Sequence, residues 1–196
     1  MESNNKAFTY FDESFDTKEQ LPRAFSVSFE EIAGADVPQV RVVLDDNQLG
    51  DIINDNSIEN DFYRYHDIFH YSFATLLGWS PCARAMMKKK RKSDRIIDEV
   101  QDGARAAITE EAISLIVFNE AKRKDYFANS RSVSKTTLRI IKEMTENFEV
   151  HVRSEKDWEL AILESYRIFR LLICNNGGKV LFDMNNKEIS YQSAIN

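Results

Sequence analysis

The sequence predicts an α+β fold, mainly helical: a helical body with one small antiparallel sheet formed by N-terminal and C-terminal strands. Three observations carry this. Residues 23–46 hold two runs with strand character, "RAFSVSFEE" and "VPQVRVVLDD". From Phe62 onward the apolar period changes to steps of four and three, the spacing of one helical face. The chain closes on "GGKVLFDMNNKEISYQ", which reads as strand, Asn-Asn turn and strand. The order β-β, several helices, β-β suits a helical body whose two chain ends meet in one sheet.

The elements follow in order. Residues 1–20 are polar with scattered phenylalanines and are expected to form an N-terminal arm that docks by those rings. In the first strand Phe25, Val27 and Phe29 alternate with Ala24, Ser26 and Ser28. "IAGAD" turns the chain into the second, β-branched strand. "NQLGDIINDNSIEND" is expected to be a loop, from Gly50 and its Asn/Asp cluster. Phe62, His66, Phe69, Phe73 and Leu76 then mark a helix, and Gly78 fits the position just past its end. Ser80-Pro81 supplies an N-cap and a first-turn proline for a short helix through "CARAMMKKKRK". The segment from Ser93 to Phe127 is either one long helix or two broken near Gly103. Two amphipathic helices follow, "SVSKTTLRIIKEMTENF" and "SEKDWELAILESYRIFRLLICNN", the latter with Ser154 and Asp157 spaced as a capping box.

Composition narrows the class. The chain has 196 residues, enough for one domain with a sizeable core, and its 43% hydrophobic and 30% charged content is that of an ordinary globular protein. A net charge of -6 argues against a general nucleic-acid coat, though not against one local basic patch. Cys82 and Cys174 form neither a metal-ligand spacing nor a disulfide framework and are expected to be buried free thiols. No run is long and apolar enough to span a membrane, and "MESNNKAFTYFDESFD" lacks the core of a signal peptide, so a cytoplasmic location is expected.

The chemistry-bearing residues fall in three places. His66 and His70 lie one turn apart with Asp67 between them, a spacing that presents two or three ligands to one metal ion or else places two histidines in an aromatic core. Next, Asp98, Glu99, Asp102, Glu110 and Glu111 crowd an apolar stretch. Carboxylates in that setting need a cation, either Arg84 or Arg105 in a salt-bridged core, or a magnesium or manganese ion on hard oxygen ligands. Between them runs "KKKRKS", which is either a solvated basic face or a phosphate clamp.

Taken together, "DFYRYHDIFHYSFATLLGWSP", "KKKRKSD" and "DEVQDGARAAITEEAIS" resemble the domain at the C-terminal end of MazG-like nucleotide pyrophosphohydrolase proteins. "LPRAFSVSFEE" and "LGDIINDNSIENDFYRYHD" fit the same domain, so the resemblance is dense from about Leu21 to Phe118 and weaker to "GGKVLFD". It implies one such domain over residues 21–196. It also implies magnesium-dependent cleavage of nucleoside triphosphates to monophosphate and pyrophosphate, and assembly as a homodimer. MazG-like enzymes draw their ligands from E-E-x-x-E followed by E-x-x-D; the matching pieces here are His66-Asp67-x-x-His70 and Glu99-x-x-Asp102, with histidines where two carboxylates are usual.

The reading that results is a metal-dependent nucleotide phosphohydrolase, most nearly a nucleoside triphosphate pyrophosphohydrolase. His66, Asp67, His70, Glu99 and Asp102 would hold Mg2+ or Mn2+, Glu110 or Glu111 would orient or deprotonate the attacking water, and Lys90, Arg91, Lys92 and Arg105 would neutralise the phosphates. The alternative is a non-catalytic module that binds nucleotide or, less in keeping with the charge, nucleic acid. A phosphohydrolase of the HD type fits less well, since His151 is the one other histidine and lies far downstream. A nucleophilic triad has less support still, because no base is placed beside either cysteine by the sequence.

Overall fold

The computed structural model describes residues 10–193. Five strands, β1 (Ala24–Glu31), β2 (Gln39–Leu44), β3 (Asn47–Asn54), β4 (Gly177–Asp183) and β5 (Glu188–Gln192), form one antiparallel sheet in the order β3-β2-β1-β4-β5. The central pairing, Ala24 opposite Asp183 through Glu30 opposite Gly177, joins the two ends of the chain. One sheet face is buried through Val27, Phe29, Val40, Val42, Val180, Phe182 and Ile189. The period of two read from "RAFSVSFEE" is this alternation.

The segment expected to be a loop after the second strand is mostly strand. Asp45 and Asp46 take positive φ (47° and 62°) and make a tight two-residue turn, so the chain reverses at once into β3. Aspartate is one of the few residues that tolerates this conformation. Gly50 lies inside β3 near the register shift between Val40 and Val42, where a bulge accommodates it.

Six α-helices lie between β3 and β4: α1 (Asp67–Leu77), α2 (Pro81–Met86), α3 (Arg95–Val100), α4 (Ala104–Lys122), α5 (Lys135–Met144) and α6 (Glu155–Cys174). Every residue of α1 is buried, packed between α6 and the sheet. Such a helix must satisfy its polar groups internally. Ser72 and Thr75 do so by donating to the Ile68 and Tyr71 carbonyls at 2.7 Å. Asp67 and His70 are the other buried polar residues of α1. The rings around them form the core: Phe69 on Tyr166 and Phe169, and Phe73 edge-on to Trp158.

Sequence signals set the helix ends. Gly78 ends α1 in the left-handed conformation (φ 73°). Ser80 caps α2 by accepting from the Ala83 N–H, with Pro81 at the first turn, but α2 stops at Met86, short of the basic run. Ser154 and Asp157 close a full capping box on α6. At Gly103 the chain breaks into α3 and α4: a Cβ there would lie 2.0 Å from the Glu99 carbonyl oxygen. The described part of the expected arm is tied down by charge and by its rings. The Asp12 carboxylate takes Arg23 and Arg84 at 2.6 and 2.8 Å, and Phe11 lies under the Arg153 guanidinium. Residues 1–9 of that arm lie outside the described residues. Among the described residues no helix is long and apolar enough to cross a membrane.

Candidate metal centre

The left-handed Gly78 turns the chain so that the start of α2 returns against α4, beside the first turns of α1. Glu110 of α4 points inward at this junction and is fully buried. Its Oε1 accepts from His70 Nδ1 at 2.8 Å and from the Ser80 hydroxyl at 2.6 Å; its Oε2 accepts from the Cys82 N–H at 2.9 Å. Three donors converging on one carboxylate compensate its removal from water. They also fix His70 with its proton on Nδ1.

His66 is fixed in the same sense. Its Nδ1 donates to the Tyr63 carbonyl at 3.0 Å, and its ring stacks on Tyr63 with centroids 4.3 Å apart. The other nitrogen, Nε2, lies 3.3 Å from Asp67 Oδ1. Ligand atoms of His66, Asp67 and His70 lie within 4.8 Å of one another, as do those of His70, Cys82 and Glu110. His70 Nε2 is buried and has no hydrogen-bond partner among the described residues. It stands 3.2 Å from Glu111 Oε1, an ion-pair separation off hydrogen-bond alignment. Glu111 is about half exposed (47%) and forms the open side of the cluster, between Ile108 and Leu115, which are themselves exposed on the same helix.

The charges respond to this packing. Burial disfavours a charged His70, yet the Glu110 carboxylate outweighs it and raises the imidazole well above its ordinary value. For Glu111 burial acts upward, but the close approach and charge of His70 outweigh it and hold the carboxyl at about 2. Burial lowers His66, which favours a neutral ring.

An implied divalent ion fits this cluster: two imidazoles with their Nδ1 atoms committed, an adjacent carboxylate, and one buried ring nitrogen without a hydrogen-bond partner among the described residues. Carboxylate or carbonyl contacts on the far nitrogen are what orient histidine ligands in metal sites.

The second acidic pair does not join it. Both Asp102 oxygens are taken by Arg91, through its backbone N–H and guanidinium at 2.7–3.1 Å, and Arg84 stands 3.7 Å away. Asp102, expected to be a metal ligand, is thus a salt-bridged core residue. The physical reason is the break at Gly103, which removes the continuous helix that would have brought Asp102 and Glu110 to one side. Glu99 is exposed and pairs with Arg95. Arg91, expected to bind phosphate, is likewise corrected: its guanidinium is 1% exposed and bonded to Asp102, Glu149 and the Phe11 carbonyl. Lys90 is partly exposed near Asp98 (3.5 Å), and Lys92 is exposed. Arg105 is exposed beside Glu99, Val100 and Thr109 at a groove against Met144 and Phe148, apart from the two ligand clusters.

Sequence reasoning missed Cys82 and Ser80 as members of this junction. Cys82 is half-buried and Cys174 exposed, so neither is the fully buried thiol expected. The Ser-Pro cap was the available signal, since it fixes where the Ser80 hydroxyl and the Cys82 N–H point.

No curated protein and no solved structure matches the chain at a significant level. The MazG C-terminal domain family matches residues 6–195, nearly the whole length, and so extends the resemblance well beyond Phe118. The chain belongs to the MazG C-terminal domain family.

Proposed function

We propose that this protein is a metal-dependent nucleotide phosphohydrolase, of the kind that splits a nucleoside triphosphate into monophosphate and pyrophosphate. One observation carries the metal part: His66 and His70 each commit Nδ1 to an oxygen, and ligand atoms of His66, Asp67 and His70 lie within 4.8 Å of one another. The nucleotide part rests on family membership.

His66, Asp67 and His70 would hold the ion. A bound divalent ion supplies Lewis acidity toward a phosphoryl oxygen and neutralises its charge. Glu110 positions His70 through Nδ1 and is itself too enclosed by donors to take a proton from water. Glu111, partly open to solvent beside His70, would orient the attacking water. Partly exposed Lys90 and exposed Lys92 are the cations proposed to meet the phosphates. Magnesium and manganese remain the first ions to test, as the family implies.

A second reading, a nucleotide-binding module without turnover, draws on the neutralisation of Asp102 by arginine, which removes one of the acidic positions matched to the family's ligand motif. Turnover of a nucleoside triphosphate panel with magnesium, manganese or zinc separates the two, with pyrophosphate and phosphate release followed. The hydrolase reading expects turnover that falls at least a hundredfold in His70→Ala and in Glu111→Gln. Binding without turnover under every metal supports the module. Turnover unchanged in both variants would remove this centre from the reaction.

A further inference from the structure

We infer that Cys82 is a further ligand of the histidine centre, and that the centre takes a thiophilic divalent ion of the zinc class in preference to magnesium. This rests on the metal-centre reading above and specifies its ion.

Cys82 is the second residue of α2, and its backbone N–H is anchored on Glu110, the same carboxylate that anchors His70. One buried group therefore sets both side chains. Cys82 Sγ lies 3.7 Å from Glu111 Oε1, which in turn lies 3.2 Å from His70 Nε2. His70 belongs to both ligand clusters, that with His66 and Asp67 and that with Cys82 and Glu110, and so links the sulfur to the histidine centre, while Glu111 approaches both Cys82 and His70. The Nε2 of His70 is buried, has no hydrogen-bond partner among the described residues and lies 3.2 Å from Glu111 Oε1.

The thiol interacts with His70 and with two oxygens. Its contacts with the Ala107 carbonyl and with Glu111 are both 3.7 Å, long even for sulfur. A coordinating thiol gives up its proton to the solvent and binds as thiolate.

The donor types then select the ion. Magnesium demands near-octahedral oxygen coordination and keeps much of its water. The two clusters offer imidazole nitrogen and sulfur beside few carboxylates, a donor set poor in the oxygen that magnesium takes. Imidazole and thiolate instead suit zinc and its neighbours in the transition series.

The test uses the full-length metal-free chain in a Cys174→Ser background, which removes the other, exposed cysteine. Cobalt(II) is titrated as a spectroscopic stand-in for zinc. The expected result is a near-ultraviolet sulfur-to-cobalt charge-transfer band together with visible d–d bands. In Cys82→Ser the charge-transfer band is lost, d–d bands persist, and cobalt affinity falls tenfold or more. Equimolar zinc displaces the cobalt; a large excess of magnesium does not. Serine keeps the backbone N–H to Glu110, so the junction is retained, and far-ultraviolet circular dichroism verifies it. Cobalt binding that is lost in His70→Ala but spectroscopically identical with and without Cys82 overturns this inference and leaves the histidine centre standing. Displacement by magnesium as effective as by zinc also overturns it. No binding of cobalt or zinc by the unmutated site overturns the inference and the centre together.

Discussion

At the residue scale the decisive group is Glu110. Its neighbour Glu111 is chemically identical and one position away, yet the two have opposite circumstances because successive helical residues face about 100° apart. Glu110 is enclosed and takes three donors; Glu111 is half exposed and meets His70 at the other ring nitrogen. Replacing Glu110 by glutamine keeps the volume but removes the charge and turns one accepting atom into a donor. It would face the Cys82 N–H or the His70 and Ser80 donors. The expected cost is about 3 kcal/mol or more, the range for breaking a buried hydrogen-bonded ion pair. Urea unfolding of Glu110→Gln against the parent chain measures it. Glu111→Gln, on the open side, is expected to change stability by under about 1 kcal/mol. Equal effects of the two substitutions would contradict the assignment of Glu110 as the holder of His70.

At the scale of elements the sequence was read with most success where local chemistry decides. The Gly78 stop, the Ser80-Pro81 start and the Ser154–Asp157 capping box each depend on two or three residues, and each is where it was expected. The misses have a common cause. β3 is polar and edge-placed, "NQLGDIIN", so neither face shows a full apolar alternation, and only pairing with β2 makes it a strand. The expected helix from Phe62 begins later, at Asp67, since Phe62 has positive φ and only one tight turn, Tyr63–Tyr65, precedes it. Gly103 left two possibilities in the sequence because the cost of a glycine within a helix is small, about 1 kcal/mol. Tertiary approach decides it: there is no room for a Cβ against the Glu99 carbonyl. Gly103→Ala is therefore expected to destabilise by about 1–3 kcal/mol, against the gain that helix propensity alone would give. A thermal melt that rises for this variant would contradict the steric account.

At the scale of the whole molecule, two polar networks flank α2 and do different work. His70, Ser80, Cys82 and Glu110 form the junction that holds the candidate centre. Arg84 and Arg91, with Asp12, Asp102 and Glu149, tie the N-terminal segment and the α3–α4 junction to the body. The sequence showed that carboxylates and cations were both present. It did not show which would pair, because Asp102 and Arg91 meet through a break and a turn that only the packed chain defines. The His66-Asp67-x-x-His70 spacing was legible, since it lies on one helix end; its partners Ser80, Cys82 and Glu110 come from two other elements. The second network has a pH signature. Burial alone would raise the Asp12 carboxyl, but the Arg23 hydrogen bond, the Arg84 charge and the Leu21 N–H outweigh it and hold the carboxyl below its usual value. A group depressed on folding contributes fully above the unfolded carboxylate range, about pH 4, and its contribution is lost as pH falls through the folded value. Urea midpoints between pH 6 and pH 3, chosen from about that range, should fall less steeply in Asp12→Asn than in the parent chain, which starts higher. Parallel slopes would contradict this role.

The central claim is that His66, Asp67 and His70 hold a divalent ion, and the most direct measurement is anomalous diffraction from crystals of the chain soaked in manganese and, separately, in zinc. The account predicts one strong peak at coordinating distance, about 2.0–2.3 Å, from His70 Nε2, beside Asp67 and His66 and absent in His70→Ala crystals. A peak at Glu99 with none at His70, or no peak at the histidines in either metal, would contradict it.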